Sequence, residues 1–205
     1  YGATETRDNP CTTTVVEAFK QAGMLKLKTE ADPDGAGALF GRKTETIYDN
    51  TGKIVATRII GSGGVADAWT CTTYDTRERA LTTVIPVVNG QAGRTITNNY
   101  AVSGNPLVVS SSDPKGAITT ESDLLGRTVK YTSTQGDTTT TTYDTVGRLA
   151  SRTSPLGTES YTYDGFNRLL DQKLDNITYA HVSYDAYSRI NMVEYPQANS
   201  QKLLI

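Results

Sequence analysis

Along the chain, apolar and polar residues alternate in short runs broken by clusters of Asp, Gly, Pro and Asn, with no sustained helical spacing. The runs are rich in Thr, Val, Ile and Tyr, residues that fit a pleated, half-buried surface. Thr138 to Thr142 is an unbroken threonine run leading into Tyr143, and Tyr161-Thr162-Tyr163 places two rings on one face of a strand. This pattern predicts an all-β chain of short strands. One segment differs. Val15 to Met24 carries Glu17, Ala18, Lys20, Gln21 and Ala22, a composition suited to a short helix, although the context favours a long, irregular hairpin loop.

The breaks between strands repeat. Tyr143-Asp144-Thr145-Val146-Gly147-Arg148-Leu149 is followed by Tyr163-Asp164-Gly165-Phe166-Asn167-Arg168-Leu169 and then by Tyr184-Asp185-Ala186-Tyr187-Ser188-Arg189-Ile190. Their tyrosines are spaced by 20 and 21 residues. Tyr48-Asp49-Asn50-Thr51-Gly52-Lys53 and Tyr74-Asp75-Thr76-Arg77-Glu78-Arg79 keep the first pair and the basic sixth position. Tyr100 opens a copy without the aspartate. Ser122-Asp123-Leu124-Leu125-Gly126-Arg127 lacks the tyrosine. From 48 to 122 the steps are 26, 26 and 22 residues. Val16-Glu17, Gly23 and the run Leu25 to Lys28 suggest a degenerate first copy.

In Tyr-Asp-x-x-Gly-Arg, Asp and the Gly three residues later suit a type I turn. A left-handed glycine then completes a G1 bulge that registers the flanking strands. Asn167, in the glycine place, tolerates that conformation. Glu78 and Ser188 do not, so their turns are expected to be looser or of another type, and Tyr100 should open an irregular one. Asp32-Pro33-Asp34-Gly35, Asp113-Pro114-Lys115-Gly116 and Ser154-Pro155-Leu156-Gly157 supply a second tight turn at the opposite edge. The unit is therefore strand, Tyr-Asp turn, strand, Pro-Gly turn, and rings stacked over successive hairpins would form a ladder.

The remaining numbers narrow this picture. Only 37% of the 205 residues are apolar, against about 45–50% in ordinary domains, which implies a polar sheet with a thin core. With 20 Lys and Arg against 22 Asp and Glu there is no basic field for nucleic acid. No apolar run reaches the roughly 18 residues of a membrane span, so no membrane insertion is expected from this segment. The chain starts without Met and stops in an apolar run, and no cap closes the array, so it is expected to be the interior of a longer protein. Cys11 and Cys71 lie 60 residues apart, and a disulfide between them is left open. Two cysteines with a single histidine, His181, do not make a structural zinc site.

The Tyr-Asp-x-x-Gly-Arg-Leu pattern, its spacing and the Pro-Gly turn resemble the Rhs/YD-repeat family, clearly over 41–195 and more weakly over 11–40. The resemblance implies a curved antiparallel sheet that spirals into a hollow shell, with this chain one fragment of the array. It implies enclosure of a C-terminal toxin or effector, neighbouring repeats of the same longer chain as partners, and a secreted or cell-surface location. An adhesion or glycan-binding module is the alternative. Members that cleave themselves use paired aspartates in closely spaced Asp-Pro-x-Gly motifs. Here Asp32 and Asp113 are 81 residues apart and sit where the second turn belongs, so no catalytic residue is expected.

Other chemistry finds little support. No sharp strand-to-helix elbow positions a serine for His181. Gly61-Ser62-Gly63-Gly64 lacks the lysine and helix of a phosphate loop. No cofactor is implied. Arg127, Arg148, Arg168 and Arg189 recur at the repeat period. Each follows an aspartate by four residues, which favours local pairing over a basic stripe.

Overall fold

The computed structural model describes residues 5–12, 17–21, 23–32, 35, 41–61, 63–88, 90–199 and 201–204. Every regular element among them is a β-strand. β1 (Thr6–Asp8) and β2 (Ala18–Lys20) form a small antiparallel sheet with Arg7 opposite Phe19. Then come β3 (Leu27–Thr29), β4 (Lys43–Tyr48), β5 (Ile54–Ile60), β6 (Thr70–Tyr74), β7 (Ala80–Ile85), β8 (Arg94–Asn99) and β9 (Val108–Asp113). β10 (Gly116–Ser122), β11 (Thr128–Thr132), β12 (Thr138–Tyr143), β13 (Leu149–Ser154) and β14 (Gly157–Tyr163) follow. The last are β15 (Leu169–Leu174), β16 (Ile177–Tyr184), β17 (Ile190–Tyr195) and β18 (Gln201–Leu204). β3 to β18 form one open, antiparallel 16-stranded sheet in chain order, the arrangement tandem hairpins dictate.

The short helix considered for 15–24 is absent among the described residues there, because Ala18–Lys20 is strand. Val15, Val16, Ala22, Pro33, Asp34 and Ser62 lie outside the described residues. The chain divides into two compact units, Tyr1–Asn99 with Ser111–Lys115, and Tyr100–Ser110 with Gly116–Ile205.

In the first unit, the small sheet lies against β4 to β6. Ile47, Val55 and Ala56 are buried there, with Cys11, Phe19, Trp69 and Tyr74 packed around them. Cys11 and Cys71 are joined by a disulfide, with their Cα atoms 5.7 Å apart. Closing a 60-residue loop contributes on the order of 4 kcal/mol, as an upper value. Gln21, fully buried, acts as a piece of strand: its amide N–H donates to the Tyr48 carbonyl at 3.0 Å, and its Oε1 accepts from the Tyr48 N–H at 3.0 Å. Arg7 and Arg58 both bind Glu45, at 3.0 and 2.7 Å, and Arg58 also lies 4.4 Å from the Trp69 ring centre. A buried carboxylate is tolerated because two cations meet it.

The second unit is almost purely repetitive. Cross-strand hydroxyl pairs join its β-branched strands: Thr142 with Ser151 at 2.7 Å and Thr153 with Thr158 at 3.1 Å. At one edge four successive hairpin turns, opened by Asp123, Asp144, Asp164 and Asp185, share one construction. The other edge is more varied than the Pro-Gly motif implies. Pro114-Lys115 and Pro155-Leu156 make two-residue loops, but so does Asp175-Asn176, with both residues left-handed (φ 49° and 68°), the mirror-image turn that matches strand twist. Ser133 to Asp137 closes as a Tyr-Asp turn does, the Ser133 N–H donating to the Asp137 carbonyl at 2.8 Å and Gly136 taking φ 90°.

Gly157 matters beyond its own turn. It has φ +131°, and a Cβ there would lie 2.9 Å from the Asp175 carboxylate, whose Oδ1 accepts from the Thr158 N–H at 2.8 Å. Gly157→Ala is expected to lower stability by about 1–3 kcal/mol in urea unfolding followed by circular dichroism. Gly165→Ala, where the added methyl meets nothing within 4 Å, should change it by less than about 0.5 kcal/mol.

Candidate functional site: the Tyr-Asp turn ladder

Each Tyr-Asp turn is built by one carboxylate. Taking Asp144, its N–H donates to the Arg148 carbonyl at 2.9 Å, and its own carbonyl accepts from the Gly147 N–H at 2.9 Å. Oδ1 accepts from the N–H groups of Val146 and Arg148 at 3.0 and 2.9 Å, while Oδ2 accepts from Arg148 Nε at 2.6 Å. Asp75, Asp123, Asp164 and Asp185 repeat this set with Arg79, Arg127, Arg168 and Arg189. Asp49 makes the backbone bonds but takes the Thr51 hydroxyl, at 2.7 Å, in place of a guanidinium. Each motif residue ahead of the aspartate carries a one-residue register shift, at Tyr48, Tyr74, Ser122, Tyr143, Tyr163 and Tyr184, which is the bulge a left-handed fourth residue completes.

The arginine then leaves its own turn. Arg127 lies 4.2 Å from the ring centre of Tyr143, Arg148 4.4 Å from Tyr163 and Arg168 4.3 Å from Tyr184. These tyrosines, half-buried, reach back: Tyr143, Tyr163 and Tyr184 donate from their hydroxyls to the carbonyls of Thr128, Leu149 and Leu169, each the residue after the previous arginine. Tyr74 does the same to Ile54 at 2.7 Å, and Tyr48 to Leu25 at 3.2 Å, which extends the rule into the degenerate first copy. The ladder is thus ring on guanidinium, not ring on ring.

The third link corrects the expectation for Glu78 and Ser188. Both turns are regular: φ is 63° and 64°, and the N–H of each donates to the carbonyl of Asp75 and Asp185 at 2.9 and 3.1 Å. Their side chains, with Asn167's, serve the preceding repeat. Lys53 Nζ meets Glu78 Oε2 at 3.0 Å, Arg148 Nη1 donates to Asn167 Oδ1 at 2.8 Å, and Arg168 Nη1 donates to Ser188 Oγ at 3.1 Å. Where the residue is Gly147, Arg127 reaches only the carbonyl, at 3.3 Å. A left-handed side chain costs roughly 1–2 kcal/mol, and the inter-repeat bond offsets it. Gly52 and Gly126 hold the same conformation at φ 89° and 79°. Only the spacing between copies, not the turn motif alone, points to this link.

Tyr100 does open an irregular loop. Eight residues, 100–107, separate β8 from β9, against five in the regular turns, and Ser103 and Gly104 are both left-handed. Asp113 is a turn residue: Oδ1 accepts from the Lys115 N–H at 2.8 Å and Oδ2 pairs with Arg94 at 3.3 Å. His181 Nδ1 is 2.7 Å from Asp171 Oδ1, and Thr162 donates to the other oxygen at 3.0 Å. No group of three or more His, Cys, Asp or Glu among the described residues is placed to hold a metal.

A family model described as RHS Repeat matches residues 123–159 and 143–174, which hold the Asp123, Asp144 and Asp164 turns. Residues 123–174 carry RHS repeats. Among solved structures, the chain is similar to the crystal structure of TcdB2-TccC3 without its hypervariable C-terminal region (16% identity, TM-score 0.47, 82% of this chain and 10% of that one). It is also similar to that of TcdB2-TccC3-Cdc42 (16% identity, TM-score 0.41, 78% and 10%). The chain therefore spans about a tenth of the length of those chains. A comparison with curated proteins finds no match.

Two outcomes test the ladder. A double-mutant cycle on Arg148→Ala and Tyr163→Ala, read by urea unfolding, should give a coupling of about 0.5–2 kcal/mol, whereas the same arginine paired with the remote Tyr131→Ala should give none. The second outcome concerns acid. In Asp75, Asp123 and Asp185 the N–H of the basic residue four places on, outweighing desolvation, holds the carboxyl below its ordinary value. In Asp144 and Asp164 desolvation pushes upward but the arginine bonds outweigh it. A folded pKa below the unfolded one gives stability that is complete above the unfolded value and lost as pH falls through the folded one. Stability should therefore hold to about pH 5 and decline below about pH 4, and Asp144→Asn should shallow that decline.

Proposed function

We propose that this chain is a wall segment of a hollow RHS-repeat shell that encloses a toxin or effector for export and delivery. The observation that carries the reading is the ladder. Every charged group of the recurring motif is spent on its own turn or on the next repeat, so the array holds itself together without a thick core. Some of its hydroxyls are also paired across strands, Thr142 with Ser151 and Thr153 with Thr158. The RHS Repeat match over residues 123–174 supports the same reading. The segment's part is mechanical: no aspartate of the turn motif is left for chemistry.

The glycan-binding alternative needs open tyrosine faces. In Tyr143, Tyr163 and Tyr184 a guanidinium takes one ring face and a carbonyl takes the hydroxyl, which leaves less of each ring for a sugar.

Limited proteolysis of the complete protein that carries this segment tests the proposal. The enclosed domain should resist digestion in the native protein and become cleavable when Arg148→Ala and Arg168→Ala loosen two rungs. Equal digestion of that domain in both proteins would sink the idea.

A further inference from the structure

β1 and β2 pair only with each other, so no hydrogen-bond ladder joins the small sheet to the larger one. Residues 5–12 and 17–21 form a strap over β4 to β6 that side chains hold in place. Arg7 meets Glu45 at 3.0 Å, Asn50 Oδ1 accepts from the Lys20 N–H at 3.2 Å, and the Gln21 amide bonds both backbone groups of Tyr48. Phe19 and Cys11 pack on Ile47, Val55 and Ala56. Two paired three-residue strands are not stable alone, and a part-exposed ion pair adds little. The covalent tie, Cys11–Cys71, spans 60 residues and is the strongest restraint on the strap. It is also open to attack. A cavity of about 460 Å³ lies between the strap, at Asn9 and Phe19, and the sheet, at Val55 and Tyr74. Cys11 lines this cavity. Cys71 does not, and its Sγ lies 3.8 Å from the Trp69 carbonyl oxygen.

We propose that Cys11–Cys71 is a redox latch: a small thiol of the glutathione class enters this cavity, opens the bond and frees the strap. The incoming thiolate attacks Cys11 Sγ, and Cys71 leaves as a thiolate that takes a proton from water. A second thiolate then attacks the sulfur of the attached thiol, and Cys11 leaves in the same way. Two electrons pass from the two small thiols to the protein disulfide, and the small thiols depart joined to each other. Without its tie the strap keeps only side-chain bonds, and its short strands separate from the sheet and from each other. Ile47, Val55 and Ala56 are then uncovered. The strap is thus closed in oxidising surroundings and released in reducing ones. The latch needs no enclosed cargo, so it stands apart from the shell reading.

Amide hydrogen exchange read by mass spectrometry on the full 205-residue chain, with and without excess reduced glutathione, tests this. Reduction should raise exchange in β1 and β2 at least about tenfold, while peptides of β7 to β17 stay protected. The emission of Trp69, the only tryptophan and part of the covered cluster, should shift to longer wavelength. A brief reaction quenched in acid should show glutathione on Cys11 with Cys71 free. Cys11→Ser with Cys71→Ser should match the reduced chain without any thiol, whereas Arg7→Gln in the oxidised chain should leave the strap protected. A disulfide that glutathione leaves intact overturns the inference, as does a strap that stays protected once alkylation shows both cysteines reduced. So does glutathione found on Cys71, or release of the strap by Arg7→Gln alone. Loss of protection in β7 to β17 on reduction overturns it too, because the disulfide would then staple the whole fold.

Discussion

The structure depends on how many hydrogen bonds one aspartate can accept at the start of each turn. A carboxylate has acceptor capacity for several donors and carries a full charge. Here one oxygen gathers two backbone N–H groups and so fixes the turn, while the other anchors an arginine Nε. The guanidinium is planar and its donors are rigidly disposed, so fixing Nε also fixes where its face and its Nη1 point. They point at the next repeat, at the tyrosine ring and at the left-handed residue. A local turn preference thereby becomes a long-range bond. Lysine cannot reproduce this. Lys53 itself makes only a point contact with Glu78 of the next repeat, and Asp49 turns to a hydroxyl instead.

A thin sheet can be ordered on these terms. The buried apolar residues among those described are few: Ile47, Val55, Ala56, Ala180 and Val182. Area burial of that size does not hold 16 strands, so nearest-neighbour links must carry much of the cohesion. The links from Arg127, Arg148 and Arg168 each contain a guanidinium against a ring, a tyrosine hydroxyl on a carbonyl and an Nη1 bond. All three join one repeat to the next and none reaches further. Cohesion of this kind is local, which lets an array lengthen by copying one unit.

Much of this was legible in the sequence, and the rest was hidden for physical reasons. Tyr-Asp at a period of 20 to 21 residues marks the hairpins, because Asp and Gly at fixed offsets have one cheap conformation. Glu78 and Ser188 look like faults when each turn is read alone, since their backbone strain is local and visible. What offsets that strain lies in the preceding copy, about 20 residues away, where Lys53 and Arg168 supply the donors. The opposite edge was read as Pro-Gly throughout because those residues are conspicuous. Asp175-Asn176 and Ser133 to Asp137 reach equivalent turns through side chains that tolerate or cap a left-handed bend.

The first unit shows what happens where the ladder is weakest. Its steps stretch to 26 residues, one of its basic positions is Lys53, and its earliest rung survives as the Tyr48 hydroxyl on Leu25. The same region carries the features that the pure repeats lack: a covering two-stranded sheet, a buried cluster around Ile47, the Gln21 amide standing in for a strand, and the Cys11–Cys71 cross-link. Each joins residues far apart in sequence, 60 residues in the case of the disulfide, where the ladder joins only neighbours. Regular repeats hold by local bonds. Where the local bond fails, the chain closes long loops instead, and a covalent loop closure is the form of cohesion that does not depend on any single turn being regular.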